Sequence, residues 1–337
     1  MDFKRILRTI AKIIIPLAFG LLLLWYLYSE MDFTEIWRVI KTGVRYEVIA
    51  FSLLFGLLAN IIRGVRWGLL VDSLGERYKT SNLVYAVLGS YAVNMLLPRI
   101  GEVWRCGIIT KYEKIPFTKL FGTLLIDRLS DTIMVGLVTL SIFIFNINFF
   151  TGFFAKNPSL MEGFQTMFTS IWMYVVIVVI AALIWFVFTY MKHFTLVQKA
   201  RQMLLNVWEG VKSIWLMEHK FRFLLETVSI WVGYFFYFYI TFYAFDFTSD
   251  LGISVGLITF TMSSIAVAVP VQGGIGPWHF MVIATLVLFG VNENDAAAFA
   301  LIVHSIQTLW TLLCGLFGVV ALPLTNKKLE EDTVVSE

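Results

Sequence analysis

Apolar runs of about 20 residues recur along the chain, and this is the length that an α-helix needs to cross a membrane. The clearest of these runs end near Tyr28 or cover residues 46–70, 118–147, 170–191, 221–246 and 297–323. The alternation of apolar and polar positions that is typical of barrel strands is missing from the sequence. We therefore predict an all-α polytopic membrane protein with about seven full spans.

Two further apolar segments are shorter than a full span, and each stops at a proline. Residues 82–97 stop at Pro98, and residues 252–269 stop at Pro270. Irregular backbone at membrane depth is tolerated only where protein buries it or where it lines a cavity. We therefore predict two re-entrant or broken-helix hairpins. The residues at the predicted breaks are Asn94, Pro98, Gly101, Pro270 and Pro277.

Three other segments have a different character. Residues 32–42 and 194–220 place apolar side chains at helical spacing between charged ones, which predicts amphipathic helices lying in the membrane interface. Residues 326–337 are mostly charged or polar, and we expect a disordered cytoplasmic tail there. The first apolar run lacks a small-x-small cleavage site, so we interpret it as an uncleaved span. Residues 1–325 then form a single transmembrane domain.

Composition and charge placement agree with this interpretation. The chain is 59% hydrophobic, 16% aromatic and 15% charged, which is far from the average of a soluble domain. With the N-terminus inside, 21 Lys and Arg residues fall in or beside inner segments and 4 in outer loops. The positive-inside rule therefore places both termini in the cytoplasm. We expect no nucleic-acid partner, because the basic residues are spread over membrane-flanking segments.

The two halves of the chain repeat the same order of features. In residues 46–147 a span, a proline break and a second span follow one another, and residues 221–323 show the same order at similar intervals. The predicted topology gives the two hairpins opposite orientations. Inverted repeats with interrupted segments are typical of secondary transporters. The alternative is that prolines and short spans are simply common in membrane proteins.

The richest group of charged residues surrounds the first break. Its members are Arg99, Glu102, Arg105, Asp127, Arg128 and Asp131. Because charge in a membrane is costly, these side chains either neutralise one another as a structural ion cluster, or leave an arginine available for a ligand. Arg63 and Arg66 we interpret as snorkelling to the inner boundary, with a polar lining as the alternative.

Helix starts next to the breaks offer a second source of positive potential. A helix that begins within the membrane leaves unpaired N–H groups that bind anions. Gly273, Gly274 and Gly276 allow a headgroup to approach the backbone closely, and Pro277 suits the first helical position. We therefore expect Arg99, Arg105 and the three glycines to bind a phosphate.

Other candidate polar residues lie in the second half. His279 follows the glycines, and His304 and Gln307 share a face of the last span. They predict either a polar lining, a proton relay or an interhelical hydrogen bond. The four histidines and two cysteines show no zinc spacing, so we expect no metal and no cofactor.

Three motifs together resemble a known family. They are N-x3-P-R-x-G-E-x2-R from Asn94 to Arg105, DRLSD from Asp127 to Asp131, and P-x2-G-G-I-G from Pro270 to Gly276. They resemble the flippase-like family of the lysylphosphatidylglycerol synthase transmembrane region, the membrane half of the bacterial multiple peptide resistance factor. The resemblance covers residues 5–323. It implies a bacterial inner-membrane protein that moves, or helps to move, a lipid between leaflets.

The chain departs from that family in two ways. The sequence ends at residue 337 without the soluble aminoacyl-transferase domain, so lipid aminoacylation is not expected. His279 stands where the resemblance implies a glutamate, which puts an acid role there in doubt.

The leading functional hypothesis is a flippase for an anionic or phosphate-bearing lipid, either a phospholipid or a polyprenyl-phosphate-type lipid. The alternatives are a transporter of soluble anions and a non-catalytic membrane partner of a separately encoded synthase or glycosyltransferase. An enzyme is disfavoured because the sequence shows no nucleophile–base pair and no metal spacing. A homo-oligomer is compatible with all of these hypotheses.

Overall fold

The computed structural model describes most of the chain. The described residues are 18–29, 31–97, 99–145, 147, 166, 170–191, 194, 197–198, 201, 218–267, 269 and 271–326. They contain helices and no strands. Pro98, Pro270, most of the predicted interfacial helix at 194–220 and the tail from 327 onward lie outside them.

The chain divides into two compact units. The first consists of Met1–Val138 and Met217–Glu337, and the second consists of Thr139–Leu216. In the second unit, a 20-residue helix without any charged side chain, Ile171–Tyr190, matches the predicted span at 170–191. A single domain over residues 1–325, with repeat halves at 46–147 and 221–323, stays a prediction.

The helices are numbered in chain order. They are α1 (Ala18–Tyr28), α2 (Phe33–Thr42), α3 (Tyr46–Asp72), α4 (Thr80–Leu96), α5 (Ile100–Glu113), α6 (Phe117–Phe145), α7 (Ile171–Tyr190), α8 (Lys220–Tyr239), α9 (Asp246–Ser249), α10 (Ile253–Ala266), α11 (Pro277–Leu288) and α12 (Glu293–Thr325). The 3-10 turn Ile240–Ala244 follows α8, and the 3-10 turn Gln272–Gly274 precedes α11.

Four of the described helices are long and apolar enough to cross a membrane. These are α3, α6, α12 and α8 together with its 3-10 extension to Ala244. Shorter apolar helices cover Ala18–Tyr28, Ile253–Ala266 and Gln272–Leu288. The prediction of an all-α, multi-pass membrane protein is confirmed, while the number of about seven spans stays a prediction.

The short helix predicted at 32–42 is present as α2. Asp32 caps its N-terminus and accepts a hydrogen bond from the Thr34 N–H at 2.8 Å. This bond holds the pKa of Asp32 below its ordinary value. Ile36 and Val39 are buried, while the apolar Phe33 and Trp37 are exposed, and the location of α2 in the membrane interface stays a prediction.

The first predicted hairpin is formed by α4 and α5, which pack against each other. At its open end, the backbone N–H of Lys79 and the side chain of Asn82 both donate to Glu113. At its tip, the Gly101 N–H donates to Asn94 Oδ1 at 2.8 Å. The two open ends are therefore adjacent, as a re-entrant hairpin requires.

The tip of this hairpin depends on close backbone packing. A Cβ at Gly101 would lie 1.9 Å from the carbonyl oxygen of Ser90, so only glycine fits there. α5 begins at Ile100, with Arg99 as its N-cap in a left-handed conformation at φ 64°. The helix start predicted after Pro98 is confirmed.

The second predicted hairpin is formed by α10 and α11, which also pack against each other. We call residues 271–276, which lie between these two helices, the glycine loop. The loop contacts the first hairpin, because a Cβ at Gly273 would lie 3.3 Å from Met95 Sδ. Hence the two tips meet inside the first unit.

Candidate functional site

Seven charged side chains from three helices meet beside the tip of the first hairpin. We call them the charge cluster: Arg63 and Arg66 from α3, Glu102 and Arg105 from α5, and Asp127, Arg128 and Asp131 from α6. Helical spacing explains the group locally. Asp127 and Asp131 are one turn apart on α6, and Arg63 and Arg66 are three residues apart on α3, so each pair shares a helix face.

Asp127 is the centre of the cluster. Its carboxylate accepts from Arg66 Nη2 at 2.6 Å and from Arg105 Nη2 at 2.8 Å. Arg63 Nη1 lies 3.9 Å away. The side chains of Asp127, Arg66 and Arg105 are completely buried, so these ion pairs exchange no contacts with solvent.

Asp131 extends the cluster toward its half-buried side. It accepts from Arg66 Nη2 at 2.9 Å and pairs with Arg63. Arg128 lies 3.6 Å from Asp131 and 3.1 Å from Glu102, and its side chain is 34% exposed. The cluster therefore grades from a completely buried centre at Asp127 to a partly exposed edge at Arg128.

Aromatic rings cover the faces of the buried guanidinium groups. Arg105 lies over the Trp67 ring at 4.7 Å, and Arg66 lies over the Phe223 ring at 5.5 Å. Trp67 is itself fixed by a hydrogen bond from its Nε1 to Thr123 Oγ1 at 2.9 Å. These contacts hold the arginines in place.

The cluster is not electrically balanced. Four arginines face three carboxylates, which leaves one positive charge. Among the described residues, Arg105 Nε and Nη1 and Arg66 Nε have no hydrogen-bond acceptor. A buried donor without an acceptor is costly, so an anion with several oxygens would be stabilised here.

The structure corrects two expectations about the arginines. Snorkelling of Arg63 and Arg66 to the boundary is wrong, because both are buried and paired with the aspartates of α6. The expected six-membered cluster included Arg99 instead. Arg99 is exposed at the tip of the first hairpin, where it is the left-handed N-cap of α5. The missed signal was the i, i+3 arginine pair in an otherwise apolar helix.

The glycine loop has the backbone that its sequence predicts. Gly273, Gly274 and Gly276 have φ values of 60°, 75° and 89°, which disfavour any residue with a Cβ. Pro277 occupies the first turn of α11 after Gly276 as N-cap, as expected. The loop also contacts α1, since a Cβ at Gly20 would lie 2.9 Å from the Ile275 carbonyl oxygen.

The remaining candidate residues lie behind this loop. His304 Nε2 donates to the Gly273 carbonyl at 2.8 Å, and His279 lies beside His304. The Gln307 side-chain Nε2 donates to the backbone carbonyl of Tyr237 at 2.7 Å, and the Tyr237 hydroxyl donates to the backbone carbonyl of Gln307 at 3.1 Å. Gln307 therefore makes the interhelical hydrogen bond that was one of its alternatives.

The part of the chain that the structure describes contains no set of side chains arranged as metal ligands. No group of three or more His, Cys, Asp or Glu side chains there is arranged to hold an ion. The carboxylates of the charge cluster are already occupied by arginine. Cys106 and Cys314 are both free thiols.

Comparison with known proteins gives two matches. The family described as the lysylphosphatidylglycerol synthase TM region matches residues 13–315. The UPF0104 membrane protein MJ1595 of Methanocaldococcus jannaschii is 29% identical over 150 residues. That alignment covers 43% of this chain and 41% of the archaeal protein. No solved structure matches the chain.

Proposed function

The chain belongs to the family of the lysylphosphatidylglycerol synthase TM region, and we propose that it is a membrane lipid flippase. Its substrate would be an anionic or phosphate-bearing lipid, either a phospholipid or a polyprenyl-phosphate-type lipid. It would work without catalysis in a bacterial inner membrane, with both termini in the cytoplasm.

The positive surplus of the charge cluster is the observation that carries this proposal. Arg105 is completely buried, and only its Nη2 is bonded to Asp127. Its Nε and Nη1 are donors without acceptors in the described chain. A phosphate group offers several acceptor oxygens and a negative charge. It would therefore accept from the two Arg105 donors and neutralise the surplus positive charge of the cluster.

The meeting of the two hairpin tips supports a path for the headgroup. Arg99 and the start of α5 lie at the first tip, and Gly273 of the second tip packs against Met95. We propose that a lipid phosphate binds between the tips, to Arg99, Arg105 and the backbone at Gly273, Gly274 and Gly276. The two halves would then act as an inverted repeat around this site.

The described conformation would be a closed state of this carrier. The Arg105 side chain has no exposed surface, so a headgroup reaches it only when the tips separate. Alternating access in such folds is a movement of one repeat against the other around a fixed site. The contact between Gly273 and Met95 is therefore the gate in this proposal.

The direct test uses purified protein in liposomes that carry fluorescent lipids. An outside quencher reports how much labelled lipid reaches the outer leaflet. We expect transfer of lipids with anionic or phosphate-monoester headgroups. No transfer of any tested lipid, with or without an ion gradient, would contradict the flippase and favour a partner of a separately encoded synthase. Release of trapped soluble phosphate without lipid transfer would favour a transporter of soluble anions.

A variant at the exposed tip separates binding from folding. Arg99→Ala removes a guanidinium from the tip but leaves the buried pairs around Asp127 intact. We expect the folded protein to transfer lipid about tenfold more slowly, since a charge-assisted bond to phosphate contributes roughly 1.5–3 kcal/mol. Unchanged transfer would remove Arg99 from the site and leave the flippase proposal standing.

A further inference from the structure

Two buried histidines face each other behind the glycine loop. His279 on α11 is 2% exposed and His304 on α12 is 9% exposed. Their ring centroids are 4.4 Å apart. Neither histidine is a member of the charge cluster.

The hydrogen bonds of His304 fit its neutral form. Nε2 donates to the Gly273 carbonyl at 2.8 Å, and Nδ1 lies 3.4 Å from the Thr308 hydroxyl, which donates to it in this tautomer. His279 Nδ1 is buried without a hydrogen-bond partner among the described residues. The described packing therefore fits two uncharged rings.

Among the residues that the structure describes, the groups packed around the pair offer no counter-ion. From α1, the Tyr28 ring meets His279 edge-on, and its hydroxyl donates to the Ala297 carbonyl at 2.9 Å. Trp278 contacts both imidazoles, at 5.5 and 5.0 Å between centroids. Within the described chain, neither ring forms an ion pair with a carboxylate or makes a contact with another cation.

A proton added to this pair would be unfavourable in the described packing. An imidazolium needs water or an anion, and burial without either costs more than a single hydrogen bond returns. Two imidazolium rings at this separation would also repel each other. Protonation would therefore favour a conformation in which the pair reaches water.

We propose that His279 and His304 form a proton-binding site that releases the glycine loop. In the neutral state, His304 holds the loop on α12 through the Gly273 carbonyl. When the pair binds a proton, that contact is exchanged for hydration, and the loop leaves both α12 and Met95 of the first hairpin. The ligand of this site is the proton itself.

The consequence for lipid movement rests on the proposed function. If the loop is one side of the gate between the hairpin tips, proton binding opens the gate. A proton gradient would then drive or accelerate lipid transfer, with the pair as the coupling group.

Hydrogen–deuterium exchange tests the site without reference to transport. Amide exchange of residues 271–276 is measured in lipid nanodiscs at pH 8 and pH 5.5 and corrected for the intrinsic pH dependence of exchange. We expect the loop of the wild-type protein to lose protection by about tenfold or more at the lower pH. Equal corrected protection at the two pH values in the wild-type protein overturns the proposal, whatever the variants do.

Two variants assign the effect to the pair. His304→Gln keeps an amide N–H that can donate to the Gly273 carbonyl but cannot bind the proton, so its loop should stay protected at both pH values. His219→Gln is the matched control, because His219 is exposed at the start of α8. It should behave as the wild type does. A full pH response in His304→Gln, or its loss in His219→Gln, would contradict the assignment.

A liposome experiment connects the site to transport and keeps the two proposals separable. Lipid transfer by the wild type is compared with and without an imposed proton gradient, and again for His304→Gln. We expect acceleration by the gradient in the wild type alone. A lipid transfer rate that is the same with and without the gradient contradicts the proposed coupling but not the proposed flippase. Absence of transfer in all samples contradicts the flippase, while the exchange experiment still decides the proton site.

Discussion

The two hairpins each have a polar site beside the tip, and the two sites are built from opposite chemistry. Beside the first, seven charged side chains pair with one another. Beside the second, the polar contacts are neutral and join imidazole and amide groups to backbone carbonyls. Charge fixes the first site, because removing Asp127 leaves Arg66 and Arg105 buried without their shared carboxylate. The second site carries no such penalty, which leaves it free to respond to a proton.

The largest effect in this comparison is expected at the centre of the charge cluster. Asp127→Asn leaves Arg66 and Arg105 buried without their shared carboxylate. We expect a loss of about 3–5 kcal/mol in the free energy of unfolding, the usual cost of breaking a buried pair. The measurement is denaturant or thermal unfolding of the purified protein in detergent.

An exposed ion pair is the control for this variant. Asp246 pairs with Arg45 at 2.7 Å, and its side chain is 95% exposed. Asp246→Asn should therefore cost far less than Asp127→Asn. Equal losses in the two variants would mean that water reaches Asp127 and that the cluster is not dry.

The next effect concerns the packing that places the first site. Gly101→Ala would bring a Cβ to within 1.9 Å of the Ser90 carbonyl oxygen, so α5 must move away from α4. We expect destabilisation by about 1–3 kcal/mol or more, as for other overpacked positions. Unfolding in detergent is again the measurement.

A second glycine of the same helix gives the matched comparison. A Cβ at Gly107 would meet nothing within 4 Å, and the residue is exposed. Gly107→Ala should be neutral or stabilise the helix by up to about 1 kcal/mol, because alanine has the higher helix propensity. Similar behaviour of the two variants would contradict the close contact at the tip.

The smallest effect is expected at the neutral site. Gln307→Leu removes the hydrogen bond to the Tyr237 carbonyl without leaving a charge unpaired. We expect a loss of about 1 kcal/mol, in the range measured for hydrogen bonds between membrane helices. Ser305→Ala, at an exposed position on the same helix, is the control in the same unfolding assay. A loss as large as that of Asp127→Asn would contradict the proposed difference between the two sites.

The sequence predicts the parts of this architecture that depend on local patterns. The breaks near Asn94 and Gly276, the helix starts after them and the shared face of Asp127 and Asp131 all follow from local spacing and backbone preferences. The partners of those aspartates do not follow from them. Arg63 on α3 pairs with Asp131 on α6, and a pairing between two helices has no local signal in the sequence.

Arg99 shows the same limit from the opposite direction. Its neighbours in sequence suggested a member of the cluster, and the structure shows it as the exposed, left-handed N-cap of α5. Gln307 was assigned only to a set of alternatives, because its partner is the backbone of another helix. For Arg63 and Gln307, the decisive partner lies on another helix.

The most direct test of the account is lipid transfer by Arg105→Lys. Lysine keeps one positive charge for Asp127, so the protein should fold, but it lacks the planar guanidinium that places the Nε and Nη1 donors of Arg105. Thermal unfolding in detergent first confirms that the variant is folded. The account predicts that this variant transfers phosphate-bearing lipid at least about tenfold more slowly than the wild type, since hydrogen bonds to charged groups contribute roughly 1.5–3 kcal/mol. Transfer at the wild-type rate would contradict the claim that the charge cluster binds the headgroup.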